Sequence, residues 1–347
     1  MKRFVGLDGI KGLALIAIVL YHCMQQRLPG GFYGVDVFFT VSGFLIAVSL
    51  IRSLAKTGSL NLVRYIPKRA VRLYPALFLL IPVIVSVGWL FDHDILVSIR
   101  DQVITVLLGC YNWYAIAGGQ SYFDQMNPQV FRHLWFIGVL MQFYVIVPFI
   151  VWLMWKLRQT KLSSLIPLGL AAFSSIAMWV MYVPKGDPTR VYFGTDTAPQ
   201  LGHARQRAVP MPRTISSSAS AAAHRAPLPQ IPVEHRIWNA AAPVLAFLSL
   251  IALVTMAVIG KQDAFAFRGG IILSSLLSVL LIAGTISDDS WMQSLMVFKP
   301  LASLGKYSYG IYLWHWPLWI LSSALAPKIF KAVGPWPLIM TALLTAI

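Results

Sequence analysis

Three ionisable residues interrupt the first apolar stretch of the chain, LDGIKGLALIAIVLYHC. Asp8 and Lys11 lie at its beginning and His22 lies near its end. A helix advances about 100° and rises about 1.5 Å per residue, so all three share one stripe, with His22 about 21 Å from Asp8. A polar stripe on a membrane helix is expected to face the protein interior or a water-filled cavity. Since imidazole titrates near neutrality, His22 is a candidate general base.

Asp8 and Lys11 are three residues apart and can therefore form an ion pair within one helical turn. The alternative is that both side chains reach the membrane surface and have no further role. Asp8 lies too far along the helix to orient His22 directly. Its expected task is to pair with Lys11 or with another basic neighbour.

A basic cluster, RYIPKRAVRLYPAL, leads into a later apolar stretch. Arg69 and Arg72 lie on one face of the predicted helix because they are three residues apart. Paired guanidinium groups bind phosphate in a forked geometry that lysine does not match. We therefore expect Arg69, Arg72 and the neighbouring Lys68 to bind a phosphate-bearing ligand. The alternative is that these basic residues only keep the loop in the cytoplasm and bind lipid head groups. This alternative accounts well for Lys56 and Arg64.

Further polar residues lie inside apolar stretches. GGFYGVDVFFTVSGFLI contains Asp36 and Ser42, and FRHLWFIGVLMQFYVIVP begins with His133 and continues to Gln142 and Tyr144. An acidic group within a membrane span is costly and is a functional candidate by default.

A third such stretch, LGKYSYGIYLWHWPL, places Ser308, Tyr312 and His315 on one helical face. A belt of interfacial aromatic residues is the alternative interpretation, but it does not account for a histidine within the span. The residues that a belt would explain are Tyr307, Trp314 and Trp316.

The elements that must position these residues are membrane helices. Hydrophobic residues make up 58% of the chain and charged residues 12%, against roughly 25% charged residues in soluble domains. Several apolar stretches approach the roughly 20 residues that cross a bilayer, and they do not alternate as barrel strands do. The predicted fold is an all-α, polytopic integral membrane helix bundle with about nine to ten transmembrane segments. The predicted spans are 6–25, 32–51, 73–91, 102–118, 134–155, 162–183, 241–260, 267–286, 302–325 and an incomplete one from about 336.

Basic loops predict a multi-pass protein of the cell membrane with a cytoplasmic N-terminus. Lys and Arg residues precede the first span, follow the second and follow the span 134–155. All of these groups can be cytoplasmic only if one intervening stretch fails to cross the membrane. The stretch 102–118 contains Asn112 and ends in two glycines, so we predict that it is re-entrant or partial.

Residues 198–236 are rich in Ala, Pro, Ser, Arg and His and have no periodic apolar face. This composition predicts a disordered basic linker. A natural loop is one explanation, and a shifted reading frame that replaces a native span is the one we favour. The chain ends within an apolar stretch, which predicts a truncated C-terminus. We interpret 1–347 as one membrane domain with a first part at 1–197 and C-terminal spans at 237–347.

The formal net charge of +16 is explained by basic cytoplasmic loops and does not indicate a nucleic-acid partner. The two cysteines, Cys23 and Cys110, have neither a disulfide pattern nor a metal-ligand spacing, so no metal is expected. The first apolar stretch is not followed by the small-residue cleavage site of a signal peptide. We interpret it as an uncleaved first span.

Six ordered motifs of the chain resemble those of the acyltransferase 3 family of integral membrane acyltransferases. The motifs are LDGIKGLALIAIVLYH, GGFYGVDVFFTVSGFLI, KRAVRLYPAL, HLWFIGVLMQFYVIVP, FGTDT and LGKYSYGIYLWHWPL. The resemblance covers residues 1–197 and 239–347. It implies transfer of an acyl group, commonly acetyl, from acyl-CoA to a hydroxyl of a cell-envelope glycan or a similar acceptor.

Position by position, the resemblance implies that His22 is catalytic and that Arg69 and Arg72 serve the acyl-CoA donor. Asp8 matches the acidic position of the opening motif, and we count it with His22 as catalytic. We expect the histidine and the arginine pair to open into one interior cavity, where donor and acceptor meet. The expected lining of the substrate path is Lys11, Asp36, Ser42, His133, Tyr144 and His315.

The chain departs from the family at Leu140 and Met141, where many members have two glutamates. No carboxylate can be assigned to those positions. The rival hypothesis from another functional class is a transporter or flippase of an envelope lipid or glycan, with the same polar stripe as its pathway. A purely structural membrane scaffold is a third hypothesis, and it predicts that Arg69 and Arg72 can be replaced without effect. The residues do not predict an oligomeric state.

Overall fold

The computed structural model describes residues 4–119, 129–160, 162–197, 233–287 and 290–330. The first two helices agree with the first two predicted spans. They are α1 at Val5–Cys23 and α2 at Tyr33–Thr57, which ends at Gly58 in the left-handed conformation. Both have Ala, Leu, Ile and Val between their polar positions, as expected for helices that contact other helices and lipid.

The next helix, α3 at Leu62–Phe91, begins earlier than the predicted span 73–91. Its N-cap is Asn61, whose side chain accepts a hydrogen bond from the backbone N–H of Arg64. The basic cluster is therefore helical, and Arg69 and Arg72 lie on the same side of α3, as predicted.

The predicted stretch 102–118 does not cross the membrane as one helix. It consists of α4 at Ile99–Leu107 and α5 at Tyr111–Ala117, each too short to span about 30 Å. The break lies at Gly109, whose φ of +70° is readily adopted only by glycine, and not at the glycine pair 118–119. The predicted interruption of this stretch is therefore present, while its re-entrant or partial path through the membrane stays a prediction.

A short 3-10 helix at Arg132–Leu134 leads into α6 at Trp135–Lys156. Two further helices follow, α7 at Leu162–Met181 and the short α8 at Thr189–Phe193. After α8, the FGTDT motif connects these helices: Asn112 donates hydrogen bonds to the Phe193 carbonyl and to Thr195, and Gln142 donates one to Asn112. This polar network holds the broken α4–α5 segment against α6.

The last described part contains α9 at Val233–Ile259, α10 at Ile271–Thr285 and α11 at Trp291–Met296, with a π-helical turn at Ala266–Gly270 before α10. The predicted span 302–325 is interrupted at Tyr307. It forms α12 at Lys299–Lys306 and α13 at Ser308–Phe330. The predicted linker 198–236 lies outside the described residues except for its last four, which begin α9, and the stretch from 336 lies wholly outside them.

Helix α1 is central to the described bundle, since it packs against α2, α11, α12 and α13. Small residues permit a close approach to α12: a Cβ atom on Gly305 would overlap the backbone of Asp8. This contact places the end of α12 beside the beginning of α1. The opposite end of α1, which carries His22, lies beside α13.

Six helices of the described residues are long and apolar enough to cross a membrane. The fold is an all-α polytopic membrane helix bundle, as predicted, while the total of nine to ten spans and the orientation of the N-terminus stay predictions. The six helices are Gly6–Cys23, Tyr33–Thr57, Leu62–Phe91, Arg132–Lys156, Trp238–Ile259 and Ala266–Thr285.

Candidate active site

Two histidines that are 293 positions apart in sequence form a buried hydrogen-bonded pair. Nδ1 of His22, near the end of α1, lies 2.7 Å from Nε2 of His315 on α13. Nδ1 of His315 lies 2.6 Å from the backbone carbonyl oxygen of Tyr312, one turn earlier on the same helix. His22 is therefore connected through His315 to a backbone acceptor in the protein interior.

A third histidine, His133, completes this cluster. Its ring centroid is 5.7 Å from that of His315, and its Nε2 lies 3.0 Å from the carbonyl oxygen of Leu313. A carbonyl only accepts, so Nε2 of His133 donates this bond and Nδ1 of the neutral ring is an acceptor. That Nδ1 atom is buried and has no hydrogen-bond partner among the described residues. The site thus contains an acceptor that a bound donor group could satisfy.

Arg132 and Trp316 enclose the histidine cluster. The guanidinium carbon of Arg132 lies 4.7 Å from the ring centroid of Trp316, whose ring is 4.9 Å from that of His22. Arg132 is only 4% exposed, so its charge acts in a poorly solvated site. Trp316 is buried and donates a hydrogen bond to the carbonyl of Gln129, so it packs inside the protein against the histidine cluster.

A cavity of about 380 Å³ lies at the opposite end of α1. Asp8 and Lys11 line it and form an ion pair of 2.6 Å, as their spacing predicts. Three further cations contribute: Arg52 from α2, Arg72 from α3 and Lys306 from α12. Four cationic side chains against one carboxylate favour an anionic ligand, and the volume is within the range of small-molecule sites.

Arg69 lies next to this cavity. Its guanidinium donates a hydrogen bond of 3.1 Å to Ser49, which lines the cavity, and stands 5.5 Å from the ring centroid of Tyr144. Lys68 is exposed and is not part of the cavity lining. The structure therefore brings Arg69, Arg72, Tyr144 and the beginning of α1 together, but not Lys68.

A layer of aromatic side chains lies between the two sites. Phe136, at the start of α6, follows His133 by three residues. Tyr312 precedes His315 by about one turn on α13. The rings of Phe136 and Tyr312 are buried and 5.2 Å apart. His22 is not among the described residues that line the basic cavity. The expectation that the histidine and the arginines open into one cavity is therefore not met in this conformation.

Two residues predicted for the substrate path lie outside both sites. Asp36 is 3% exposed on α2, and its carbonyl accepts a hydrogen bond from Thr40. Ser42 is half-buried, two turns from Ser49 on the same face of α2. No group of His, Cys, Asp or Glu in the part of the chain that the structure describes is arranged to hold a metal ion.

The sequence profile of the acyltransferase domain matches residues 4–347, nearly the whole chain. The chain belongs to the acyltransferase 3 family. The histidine cluster and the basic cavity are therefore features of an acyltransferase-family protein. No solved structure is similar to this chain.

Several relatives in this family are named O-acetyltransferases. The peptidoglycan O-acetyltransferase OatA of Listeria monocytogenes is 34% identical over 341 residues, which cover 96% of this chain and 52% of OatA. The putative peptidoglycan O-acetyltransferase YrhL of Bacillus subtilis is 34% identical over 326 residues, 92% of this chain and 49% of YrhL. A putative O-acetyltransferase of Staphylococcus aureus is 30% identical over 317 residues, 91% of this chain and 50% of the relative. The chain thus spans about half the length of these family members.

Sequence reasoning missed several residues of both sites of this family member. Arg132 stands next to the selected His133 but was not selected, although a charge at the start of an apolar stretch is a recognisable signal. Arg52 and Lys306 look like ordinary basic loop residues until helix packing brings them to one cavity. Ser49 carries no signal in the sequence beyond its position one heptad after Ser42.

Proposed function

We propose that this chain is a membrane-bound acyltransferase that moves an acyl group, in the first instance acetyl, from acyl-CoA to a hydroxyl of a cell-wall glycan. Family membership and the names of the relatives support the reaction class. The observation that carries the proposal is that the two ends of α1 contribute polar side chains to two different sites. One end contributes Asp8 and Lys11 to a cation-rich cavity, and the other end contributes His22 to a buried histidine cluster.

The cation-rich cavity is the proposed site for the phosphate groups of the donor. Arg72, Arg52 and Lys306 converge there from three helices, and Arg69 is held beside it by Ser49. Guanidinium groups suit phosphate because their donors form a planar fork. Asp8 has a structural task in this scheme: it pairs with Lys11 and orients its ammonium group toward the cavity.

The histidine cluster is the proposed site for the acceptor hydroxyl. His22 accepts the hydroxyl proton, the oxygen attacks the thioester carbonyl carbon, the carbon–sulfur bond breaks, and the thiolate takes up the proton to leave as CoA thiol. The alternative order, in which His22 first activates a nucleophile of the protein that carries the acyl group, has the same net balance. Nδ1 of His133, which has no hydrogen-bond partner among the described residues, supports a hydrogen bond from the bound acceptor.

The aromatic layer requires motion in this scheme. The thioester arm of the donor has to pass the rings of Phe136 and Tyr312, which are in contact in this conformation. Ring rotation on the way to the histidine cluster would also limit the access of water to the thioester.

The test is transfer of radiolabelled acetyl from acetyl-CoA by the purified full chain in nanodiscs, with short peptidoglycan oligosaccharides as acceptors. We expect label in the glycan as an alkali-labile ester, and we expect loss of this label in His22→Ala. The matched control is His93→Ala, which changes an exposed histidine in the 3-10 helix His93–Leu96. Passage of a labelled glycan or lipid through vesicles without any dependence on acetyl-CoA would support the transporter hypothesis instead.

A further inference from the structure

The hydrogen bonds of His315 determine where its proton lies. Nδ1 of His315 faces the carbonyl oxygen of Tyr312 at 2.6 Å, and a carbonyl cannot donate. Nδ1 must therefore carry a proton. His315 is fully buried, and a second cation beside Arg132 in such a site would be strongly unfavourable. In the neutral ring Nε2 then bears the lone pair.

The proton position of His315 fixes that of His22. Nε2 of His315 accepts, so Nδ1 of His22, 2.7 Å away, has to donate. The ring geometry fits an in-plane hydrogen bond: the two rings are tilted by only 13°, and their centroids are 5.0 Å apart. In the neutral ring of His22, the nitrogen without a proton is consequently Nε2.

We propose that His315 is a positioning residue that holds His22 in the tautomer with a proton on Nδ1 and the basic lone pair on Nε2. The catalytic part of this inference rests on the proposed function, whereas the tautomer itself does not. The logic is that of a catalytic triad, in which a third group orients the base, but the orienting group here is a neutral imidazole anchored to a backbone carbonyl.

Four other neighbours of His22 in the described part of the chain do not replace His315 in this role. Tyr21 on the same helix and Trp316 on α13 contact the faces of the ring, with centroids 5.6 and 4.9 Å away. Arg132 and His133, from the segment before α6, act on His22 electrostatically. A guanidinium cannot accept a proton from Nδ1, so it favours neither tautomer by hydrogen bonding to that atom.

The first measurement is the ¹⁵N NMR spectrum of histidine-labelled protein in nanodiscs, with the His22 signals assigned by their absence in His22→Ala. In the wild type we expect a protonated Nδ1 and an unprotonated Nε2 at His22. In His315→Leu we expect the proton to move to Nε2, since Nδ1 has lost its acceptor. In His315→Gln, whose amide oxygen can replace the Nε2 acceptor, we expect the wild-type tautomer.

The second measurement is acyl transfer by the same proteins. We expect kcat of His315→Leu to fall by roughly 10²–10³-fold, the scale of a misdirected general base, with KM for acetyl-CoA unchanged within about twofold. His315→Gln should retain most of the wild-type kcat, and His93→Gln should match the wild type.

The outcomes separate this inference from the proposed function. A wild-type His22 protonated on Nε2 overturns the inference, as does an unchanged His22 tautomer in a folded His315→Leu. If His315→Leu does not fold, a shifted tautomer in His315→Gln contradicts it. Absence of acyl transfer by a wild type with the expected tautomer counts against the proposed function and leaves the positioning of His22 in place.

Discussion

At the scale of single residues, the proposed base, His22, differs from that of a serine protease in the charge of its partner. A carboxylate stabilises the imidazolium of a protease, whereas His315 offers only a neutral lone pair and Arg132 adds a positive charge nearby. The protonated form of His22 is therefore less well stabilised. Such a base suits an acyl donor that is already activated, as a thioester is, better than an unreactive amide.

The ion pair between Arg190 and Asp196 allows a pH-dependent prediction outside the membrane spans. Two hydrogen bonds from the guanidinium, of 3.1 and 2.8 Å, hold the pKa of the Asp196 carboxyl below its usual range. A lowered pKa in the folded state stabilises the protein above the unfolded pKa, near 3.9, and this contribution is lost as the pH falls through the folded pKa. Because the pair is partly exposed, its contribution is at most about 1 kcal/mol.

We therefore expect Asp196→Asn to unfold more easily than the wild type at pH 7, and we expect the difference to be smaller at pH 3, below the unfolded pKa of the carboxyl. Thermal unfolding of the purified protein in detergent at both pH values measures this difference. Asp101→Asn, which changes an exposed carboxylate on α4, is the matched control. A gap between wild type and Asp196→Asn that does not change with pH would contradict the assignment.

Sequence predicted the individual histidines but not their partners. His22, His133 and His315 were selected because an ionisable group within an apolar stretch is costly unless it has a task. Their contact depends on the packing of α1 against α13 and on the start of α6, and no local pattern encodes it. The contact of Trp316 with His22 was not predicted for the same reason, since only packing distinguishes a buried tryptophan from an interfacial one.

At the scale of elements, close packing between α1 and α12 connects the fold to the proposed donor cavity. Gly305 lies against the backbone of Asp8, and the next residue, Lys306, lines the cavity together with Lys11. Any side chain at position 305 has to push α12 away from α1. Such a shift would also move the ammonium group of Lys306 relative to its neighbours.

We expect Gly305→Ala to destabilise the protein by about 1–3 kcal/mol, the usual cost of overpacking, and to raise KM for acetyl-CoA. Thermal unfolding and donor kinetics measure the two effects. Gly169→Ala on α7 is the control, because a Cβ there meets no atom within 4 Å and alanine favours a helix. Equal stability of the two variants would show that α1 and α12 are not in close contact.

The predicted helix boundaries agree with the structure where a helix consists of one uninterrupted apolar segment. The spans 6–25 and 134–155 correspond closely to α1 and α6. The sequence indicated that 102–118 is interrupted, but the break occurs at Gly109 because the left-handed conformation is required there. The interruption of 302–325 at Tyr307 was missed, since the nearby Gly305 and Gly310 are equally compatible with one continuous membrane helix.

At the scale of the whole molecule, the proposal requires a donor site on the cytoplasmic side and a histidine cluster toward the outer side. The basic loops predict this orientation. Ser59, between α2 and α3, is then cytoplasmic, and Asp94, after α3, is external; both are exposed.

Cysteine labelling in whole cells tests this orientation. In a background without Cys23 and Cys110, we expect Asp94→Cys to react with an impermeant maleimide in intact cells. Ser59→Cys should react only after the membrane is permeabilised. The opposite pattern would place the donor cavity outside the cell, where acyl-CoA is not supplied, and would contradict the mechanism.

We propose that donor binding and proton transfer occur at opposite ends of α1. The decisive experiment is equilibrium binding of acetyl-CoA, measured beside acetyl transfer for the same purified variants. We expect His22→Ala to bind acetyl-CoA as the wild type does but not to transfer acetyl, and Arg72→Ala to bind at least about tenfold more weakly, a loss of about 1.4 kcal/mol. Arg64→Ala, an exposed cation on the same helix, should leave both unchanged. Full transfer by His22→Ala, or unchanged binding by Arg72→Ala, would contradict the claim.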